Sequence, residues 1–339
     1  MAAPGHSDTC PTDIAVDLRG VSKVFRQRQR SERLADVIKN LIRPEFREVH
    51  ALRDIDLQIA RGEIVAYAGP NGAGKSTTVK IASGMLNADT GTVRVLGMDP
   101  VRQREPYMKR IGVVFGQRTE LWMDHTVAAS YEWKRVVWDI PRERFDRMSD
   151  FVRQLLGIGE FDRTLVRELS LGQRMRADLG MALLHEPELL FLDEPSLGLD
   201  VLAKRSMLEF IKDINRSRNV TVMVTSHDMA ELEQLAGRIV MIHRGEIAFD
   251  GDFARLRREF ADRRVLRIET DTTVAPQLPG AILAASDGCR HEYRFDAGQA
   301  TVGALLASAA QQAKLVDVET HRAPIDDIIA DIYERWQKR

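Results

Sequence analysis

A glycine-rich stretch, GPNGAGKST at residues 69–77, decides the fold of this chain. An apolar run, IVAYA at 64–68, comes directly before it, and a helical pattern, TTVKIASGM at 77–85, continues from its end. A strand, a glycine-rich turn and a helix in this order form the setting in which proteins bind the phosphates of a nucleotide. The stretch therefore predicts a phosphate-binding loop in an α/β domain with buried strands.

The residue types in this loop fit phosphate chemistry. Gly69, Gly72 and Gly74 let backbone N–H groups turn toward phosphate oxygens, and the helix adds the positive end of its dipole. Lys75 supplies a compact charge for the β- and γ-phosphates, and the Ser76 hydroxyl is suited to ligate Mg²⁺. The alternative, a glycine turn with a stray lysine, is disfavoured by the flanking strand and helix. The predicted nucleotide-binding residues of the loop are Gly69, Pro70, Asn71, Gly72, Ala73, Gly74, Lys75, Ser76 and Thr77.

Two adjacent carboxylates end another apolar run, LLFLDE at 189–194. In a parallel sheet, the carboxyl ends of the strands meet at the edge where a ligand binds. Asp193 is suited to hold Mg²⁺, and Glu194 to orient and deprotonate the attacking water. A carboxylate pair at a strand end is otherwise often a solvated helix cap, and the phosphate loop upstream favours the catalytic interpretation.

A second anion-binding pattern lies between these two elements, in LSLGQRM at 169–175. Ser170 and Gly172 begin a helical run, so a hydroxyl and free N–H groups would face outward there. An ordinary capped helix explains the same residues. The residue types alone leave both interpretations open.

The order and spacing of these motifs resemble the nucleotide-binding subunits of ATP-binding cassette (ABC) transporters over about residues 14–250. GPNGAGKST is similar to the family's Walker A loop, LLFLDE to its Walker B strand, and LSLGQ to its signature, usually LSGGQ. SLGLD at 196–200 is similar to the D-loop, His227 in VTSHD to the switch histidine, and Gln117 in VVFGQRTEL to the Q-loop glutamine. All of these motifs occur in the family's order.

The resemblance implies a Mg²⁺-dependent ATPase that works as a dimer. Two cassettes would pack head to tail around two Mg-ATP, so that Ser170, Gly172 and Gln173 of one copy bind the ATP held by the other. Glu194 would be the general base, and His227 would contact the γ-phosphate and help to position the water. This arrangement explains why one domain carries two phosphate-binding patterns.

Gln117 and Phe25 complete the implied site. Gln117 would reach Mg²⁺ and report nucleotide binding to the membrane partner. Phe25, in GVSKVF, stands where the family places an adenine-stacking aromatic residue, often Tyr, and it keeps the π face. Packing within a strand would explain Phe25 equally well. Leu171 replaces the usual first glycine of the signature, while Gly172 and Gln173 keep the phosphate contact.

The composition of the chain indicates the cellular compartment in which we expect it. The 339 residues carry 49 Lys and Arg against 50 Asp and Glu, a balance that argues against a general nucleic-acid binder. No run approaches the roughly 18 apolar residues of a membrane-spanning helix. The start of the chain does not read as a secretory signal, and the two cysteines, Cys10 and Cys289, suit a reducing compartment. We therefore expect a cytoplasmic protein, held peripherally at the inner face of the membrane by a separate permease that the resemblance implies.

The length predicts about two domains. The expected division is a disordered tail at 1–13, an ATPase domain at 14–252 with a helical subdomain at about 118–180, and a small accessory α+β domain at 253–339. In the accessory domain the patterns predict strands at 265–270, 291–295 and 315–320 and a helix at 301–313.

Two segments are candidates for contact with the membrane or the permease. Aromatic residues cluster in the helical subdomain, at Trp122, Tyr131, Trp133 and Trp138. Core packing explains some of them, and the resemblance implies that this region forms a groove for a cytoplasmic helix of the permease. An insert at about 27–48 predicts a basic amphipathic helix, which would lie on the domain's own surface or against anionic headgroups or the permease.

The end of the chain favours export. APIDDIIADIYERW at 323–336 resembles the bacterial drug, daunorubicin-like and viologen-like export group. We therefore expect an exporter ATPase that pairs with a second copy of itself, as a homodimer, or with a homologous ATPase subunit. A polysaccharide-export ATPase is one alternative, but residues 265–320 offer only Tyr293 and Phe295 as platforms for a sugar. A soluble ABC ATPase acting on ribosomes or nucleic acid is another, although such proteins usually carry two cassettes. A GTPase is disfavoured because the chain has no NKxD motif.

Overall fold

The computed structural model describes residues 13–28, 46–116, 118–259 and 263–322, together with Ile325, Ile329, Ile332, Tyr333 and Trp336. Gln117, the predicted tail up to residue 12, and the central part of the predicted amphipathic insert, residues 29–45, lie outside the described residues. The chain divides into two compact units, Met1–Asp250 and Gly251–Arg339.

The first unit contains two sheets in its described part. A three-stranded antiparallel sheet has the order β2 (Phe46–Ala60), β1 (Ile14–Arg28), β4 (Thr90–Val95). A six-stranded sheet has the order β5 (Ile111–Phe115), β6 (Leu189–Asp193), β7 (Thr221–Thr225), β3 (Ile64–Ala68), β8 (Arg238–His243), β9 (Glu246–Asp252). The pairs from β5 to β8 are parallel, so the carboxyl ends of these strands share one edge.

In this unit, helices alternate with groups of strands along the chain. They are α1 (Lys75–Ala82), α2 (Arg104–Met108), α3 (Val127–Val137), α4 (Arg142–Leu156), α5 (Leu171–Leu183), α6 (Val201–Arg218) and α7 (Met229–Leu235). Every residue of β6 and β7 is buried, which is typical of parallel strands covered on both faces. One buried cluster of this unit combines aliphatic residues with the aromatic residues Tyr67, Tyr107 and Phe191.

The helical subdomain consists of α3, α4 and α5 with short 3₁₀ turns between α4 and α5. Tyr131 on α3 is buried, and its hydroxyl donates a hydrogen bond to the Ala177 carbonyl on α5 over 2.8 Å. A Cβ at Gly180 would lie 2.2 Å from that hydroxyl, so the close approach of α3 and α5 requires glycine there. Tyr131 therefore packs between helices and is not part of a surface groove.

Trp138 is half-buried, and its ring packs against other residues of this unit. Its ring lies against His185 with the ring centroids 4.6 Å apart, and Lys134 places its ammonium 4.6 Å from the Trp138 ring centroid. His185 is buried, its Nε2 lies 2.7 Å from the Ile111 carbonyl, and burial lowers its pKa to about 3. Because the ring is neutral at physiological pH, it can stack beside a lysine without charge repulsion.

A buried carboxylate, Asp178 on α5, holds the segment that follows β5. Its Oδ1 accepts hydrogen bonds from the Thr119 hydroxyl (2.8 Å) and the Glu120 backbone N–H (3.1 Å). Burial raises the pKa of Asp178 to about 6 against these hydrogen bonds, which lower it. At neutral pH the carboxylate is thus ionised at the expense of stability.

We expect the variant Asp178→Asn to be more stable than the parent at neutral pH and equal to it near pH 4. Between the ordinary pKa of 3.8 and about 6, the folded state binds more protons than the unfolded state, so this carboxyl's contribution to stability is lost as pH rises through 6. The difference in unfolding free energy should reach about 3 kcal/mol at pH 7.5. Urea unfolding followed by tryptophan fluorescence between pH 4 and pH 8 measures it. A difference that does not change with pH would contradict the assignment.

The second unit contains α8 (Phe253–Glu259), a four-stranded antiparallel sheet and α9 (Val302–Ala310) within its described residues. The strand order is β11 (Ala281–Asp287), β12 (Arg290–Asp296), β10 (Arg263–Thr270), β13 (Leu315–Arg322). Three strands and the helix lie where the sequence predicts them, but β11 was missed because its residues are almost all exposed and show no alternation. Tyr293 and Phe295 are 2% and 3% exposed and pack in the core with Leu266 and Leu305, so neither offers a sugar-binding platform.

Across the described ranges, no helix combines the length and the apolar character needed to cross a bilayer.

Candidate functional site

The glycine-rich loop lies at the carboxyl end of β3 and leads into α1. Two of its glycines are required by close backbone approaches. A Cβ at Gly69 would lie 2.3 Å from the Ile242 carbonyl oxygen, and a Cβ at Gly74 would lie 2.7 Å from the Ala51 carbonyl oxygen. Gly74 also has a φ of 117°, which side chains other than that of glycine rarely permit. The loop is therefore held tightly against neighbouring strands by its own backbone.

Lys75 is the first residue of α1, and its side chain is held in place there. Lys75 is only 7% exposed, and its ammonium donates a hydrogen bond to the Gly69 carbonyl over 2.7 Å. Burial lowers the pKa of Lys75, and the charges of Glu194 and Asp193 oppose that shift. The ammonium therefore lies near enough to both carboxylates for their charges to favour its protonated form. Among the other predicted loop residues, Ala73 is buried, Pro70 and Thr77 are half-buried, and Asn71 and Gly72 are exposed.

Asp193 gathers two hydroxyl groups around one carboxylate oxygen. Its Oδ1 accepts hydrogen bonds from the Ser76 hydroxyl (3.2 Å) and from the Thr225 hydroxyl (2.7 Å). Carboxylate and hydroxyl oxygens are hard ligands of the kind that Mg²⁺ prefers, and Mg²⁺ takes its remaining ligands from water and phosphate. The Ser76 hydroxyl and the Asp193 carboxylate therefore offer oxygen ligands of the kind that fit Mg²⁺.

Glu194 and His227 form a pair beside this group. His227 Nδ1 lies 2.7 Å from Glu194 Oε2, and the side chains are 57% and 21% exposed respectively. Glu194 has a φ of 53°, in the left-handed region, where its backbone N–H donates to the Thr225 hydroxyl over 3.0 Å. Such strained backbone at a non-glycine residue is typical of functional sites, because the surrounding structure must hold it. The pair is open to solvent on the histidine side.

Two residues of this site were missed by the sequence reasoning. Thr225 ends β7 opposite Asp193 and binds both carboxylate residues through its hydroxyl. Gly116 donates its N–H to the Asp193 carbonyl over 2.8 Å, and a Cβ there would lie 2.1 Å from the Glu194 carbonyl oxygen. The position of Gly116, directly before Gln117 and after an apolar strand, was a signal that could have found it.

The second predicted phosphate site begins α5. Ser170 is the N-cap, and its hydroxyl accepts a hydrogen bond from the Gln173 N–H (3.2 Å) while the Gln173 side-chain oxygen accepts one from the Ser170 N–H (2.9 Å). Leu171 reaches the loop after Glu194, since a Cβ at Gly198 would lie 2.7 Å from its Cδ2. Among the described residues, no hydrogen bond joins Ser170, Gly172 or Gln173 to the glycine-rich loop. The predicted residues thus fall into two separate groups.

The loops that carry Asp200 and His227 are joined through helix caps. Asp200 caps α6 by accepting the Ala203 N–H over 2.8 Å. Lys204 on α6 forms ion pairs with Asp228 (3.3 Å), the cap of α7, and with Glu231 (2.7 Å). Because Asp228 directly follows His227, these contacts fix the backbone that presents the histidine.

Phe25 lies on β1, in the three-stranded sheet, opposite Val49. Its side chain is half-buried, and the ammonium of Lys23 lies 5.7 Å from its ring centroid. The ring thus keeps exposed surface, which stacking on a base requires.

Comparison of the sequence with known proteins places these motifs in one family. The sequence model of the family described as "ABC transporter" matches residues 52–197. The ABC transporter ATP-binding protein NatA of Bacillus subtilis is 32% identical over 203 residues, which cover 60% of this chain and 82% of NatA. The daunorubicin resistance ATP-binding protein DrrA3 of Streptomyces coeruleorubidus is 33% identical and covers 63% of this chain and 67% of its own length. The methionine import ATP-binding protein MetN of Corynebacterium jeikeium is 28% identical, over 74% of this chain and 64% of its own.

Solved structures share the fold. A dimeric structure of the ATP-binding cassette MJ0796 in a post-hydrolysis state, bound to ADP and Pi, superposes with a TM-score of 0.58 at 23% identity. The superposition covers 70% of this chain and 98% of that one.

Proposed function

The chain belongs to the ATP-binding proteins of ABC transporters, and from this premise we propose that it powers a separate transmembrane permease, as an exporter, by hydrolysing ATP in a head-to-tail dimer. It is an ATP-binding cassette and an ATPase. The observation that carries the proposal is the convergence of Lys75, Ser76, Asp193, Glu194 and His227 at one edge of the parallel sheet.

The geometry supports a different role for each of these residues. The loop N–H groups and Lys75 bind and orient the phosphates, since a helix N-terminus and a buried ammonium both favour anions. Ser76 and Asp193 would hold Mg²⁺, which neutralises charge on the β- and γ-phosphate oxygens when bound. Glu194 accepts the proton of the attacking water, and His227 orients the Glu194 carboxylate and contacts the γ-phosphate. Gln117 is assigned to the same Mg²⁺ by the family resemblance.

The second copy of the chain would complete each site. Ser170, Gly172 and Gln173 have the hydroxyl and N–H groups of a phosphate site but share no hydrogen bond with the glycine-rich loop of their own chain. A partner copy placed head to tail would bring them to the γ-phosphate instead. The dimeric structure of MJ0796 bound to ADP and Pi supports the formation of a dimer by a chain of the same fold.

An exposed aromatic pair supports a permease-binding surface on the helical subdomain. Trp122 and Trp133 are 44% and 47% exposed, and their rings meet edge to face with centroids 4.9 Å apart. They line a cavity of about 320 Å³ with Ala129 and Val136 on α3. Large exposed apolar side chains in one patch indicate a protein interface, and aromatic anchors contribute most of the binding energy of such interfaces. The pocket would take apolar side chains from a cytoplasmic helix of the permease.

We expect Trp122→Ala to lose membrane recruitment and permease-stimulated hydrolysis by about ten-fold or more, because it removes an anchor residue of the interface. ATP hydrolysis by the isolated chain should stay within about two-fold of the parent, since the hydrogen bonds and ring contacts described for Trp122 are with His125, Ser130 and Trp133. Sedimentation with membranes from the source cells and phosphate release measure the two effects. Val274→Ala, an exposed apolar position in the second unit, is the matched control. Unchanged recruitment by Trp122→Ala would remove Trp122 from the interface.

The direction of transport rests on the likeness to DrrA3 and on the sequence of the chain's end, while the likeness to MetN gives import as the competing direction. Copurification of the permease, followed by flux measurements in inverted membrane vesicles, tests it. ATP-driven uptake of the substrate into inverted vesicles corresponds to export from the cell. ATP-dependent release from loaded inverted vesicles would establish import.

A further inference from the structure

The five residues 118–122, here called the linking segment, connect the nucleotide site to the apolar pocket. At one end, Gly116 hydrogen-bonds the Asp193 carbonyl two residues before the segment begins. At the other end, Trp122 lines the pocket. A displacement of this segment would therefore affect both the nucleotide site and the apolar pocket. The groups that bind the segment determine which parts of the chain can displace it.

One of these groups belongs to α5, the helix that begins at Ser170. Asp178 is 7% exposed, and its Oδ1 alone accepts both the Thr119 hydroxyl and the Glu120 N–H. The Thr119 oxygen in turn accepts the Leu121 N–H over 3.0 Å. Three consecutive residues of the linking segment are thus tied, directly or through one hydroxyl, to a single side chain of α5.

The other groups belong to α3. The Lys134 ammonium pairs with the Glu120 carboxylate over 2.9 Å, and the Trp122 N–H donates to the Ser130 hydroxyl over 3.3 Å. The Glu120 carboxylate is 53% exposed, so solvent screens its ion pair, whereas Asp178 is 7% exposed and its two hydrogen bonds are partly buried. Solvent therefore screens the α5 contacts of the linking segment less than it screens this ion pair.

Asp178 lies eight residues after Ser170, which is about 12 Å along the same helix. A helix of thirteen residues can carry a displacement along its length, since rigid secondary-structure elements transmit coupling between sites. A shift at the beginning of α5 would then reach Asp178 and, through its hydrogen bonds, Thr119 and Glu120.

We propose that Asp178 is a positioning residue that makes α5 and the linking segment move together, so that binding of ATP at Ser170 is transmitted to Trp122 within the same chain. The inference rests on the proposed function, because it takes Ser170 as a contact for the ATP held by a second copy. It adds a route from the second phosphate site to the permease surface that does not pass through Gln117.

The test uses the full chain with Glu194→Gln, which retains ATP, and with Trp133, Trp138 and Trp336 replaced by Phe, so that Trp122 is the only tryptophan. Addition of Mg-ATP should change the Trp122 emission. Asp178→Ala should reduce this change at least about five-fold, the lower limit of a typical coupling effect. Asp178→Asn keeps an acceptor oxygen and should preserve the change. ATP affinity and thermal stability, measured in parallel, separate lost coupling from lost folding.

Thr119→Val is the second variant, because alanine at a buried position can prevent folding. It removes the hydroxyl that binds Asp178 and should also weaken the emission change, while Thr119→Ser should restore it. Asp150→Ala, on the exposed face of α4, is the matched control for an aspartate-to-alanine change.

The outcomes distinguish a failure of the proposed link from a failure of the proposed function. If folded Asp178→Ala and Thr119→Val respond to Mg-ATP like the parent, the proposed link is wrong. If the parent binds ATP and dimerises without any change at Trp122, the link is wrong and the proposed function stands. If the parent neither binds ATP nor dimerises, the proposed function fails and the link fails with it.

Discussion

We expect Glu194→Gln to hydrolyse ATP about 10³-fold more slowly than the parent, within the range that general-base catalysis contributes. Glutamine has the size of glutamate and can still accept a hydrogen bond from His227, which lies 2.7 Å from the carboxylate. It cannot take the proton of the attacking water. The strained backbone at this position, with a φ of 53°, is set by Thr225 and Gly116 and should be unaffected.

The same variant should bind Mg-ATP with the affinity of the parent and accumulate as an ATP-bound dimer. Phosphate release gives the rate, and sedimentation velocity with and without Mg-ATP gives the assembly. Glu209→Gln, an exposed glutamate on α6, is the matched control and should behave like the parent. A Glu194→Gln variant that hydrolyses ATP at the parent's rate would exclude Glu194 as the base.

The second large effect is expected for Lys75→Ala, which should weaken ATP binding about 100-fold or more, equivalent to about 3 kcal/mol. The Lys75 ammonium is buried at the start of α1, so its interaction with a phosphate is poorly screened by water. Its removal also leaves Asp193 and Glu194 without the neighbouring cation, so that incoming phosphates meet two uncompensated negative charges.

Isothermal titration with Mg-ATP measures this effect, and circular dichroism checks that the fold is kept. Lys109→Ala, an exposed lysine at the end of α2, is the matched control. Because Lys75 donates to the Gly69 carbonyl within the loop, Lys75→Arg tests whether charge alone suffices. An affinity of Lys75→Ala within about two-fold of the parent would show that the loop is not the phosphate site.

The sequence predicts which side chains meet at the carboxyl edge of the parallel sheet, and the reason is physical. Lys75 and His227 follow buried apolar strands and Asp193 ends one, and buried strands of this kind are parallel, so their carboxyl ends meet. The register pairs Asp193 with Thr225, two residues before His227, and so places the carboxylate and the histidine loop side by side. Apolar runs and the polar residue after each run are both visible in the sequence.

The sequence predicts less well which side chains of the helical subdomain are buried and which are exposed. Tyr131 and Trp133 belong to the same aromatic cluster in the sequence, yet one is buried and the other exposed. Two residues on a helix are about 200° apart, so they face opposite sides, and helical phase should have separated them. For Asp178, helical phase gives no comparable indication of burial. Its burial depends on Thr119 and Glu120, which are distant in sequence and reach it only in the folded chain.

The central claim is that each ATP is held between the glycine-rich loop of one copy and the beginning of α5 of the other. Its direct test mixes two chains in the Glu194→Gln background, both with Cys10 and Cys289 replaced by Ser. One chain carries Asn71→Cys and the other, tagged to differ in size, carries Leu171→Cys. A short bismaleimide should join the two different chains when Mg-ATP is present and leave them separate without nucleotide. If Mg-ATP assembles the dimer but no mixed crosslink forms, the two phosphate sites do not face each other and the claim is wrong.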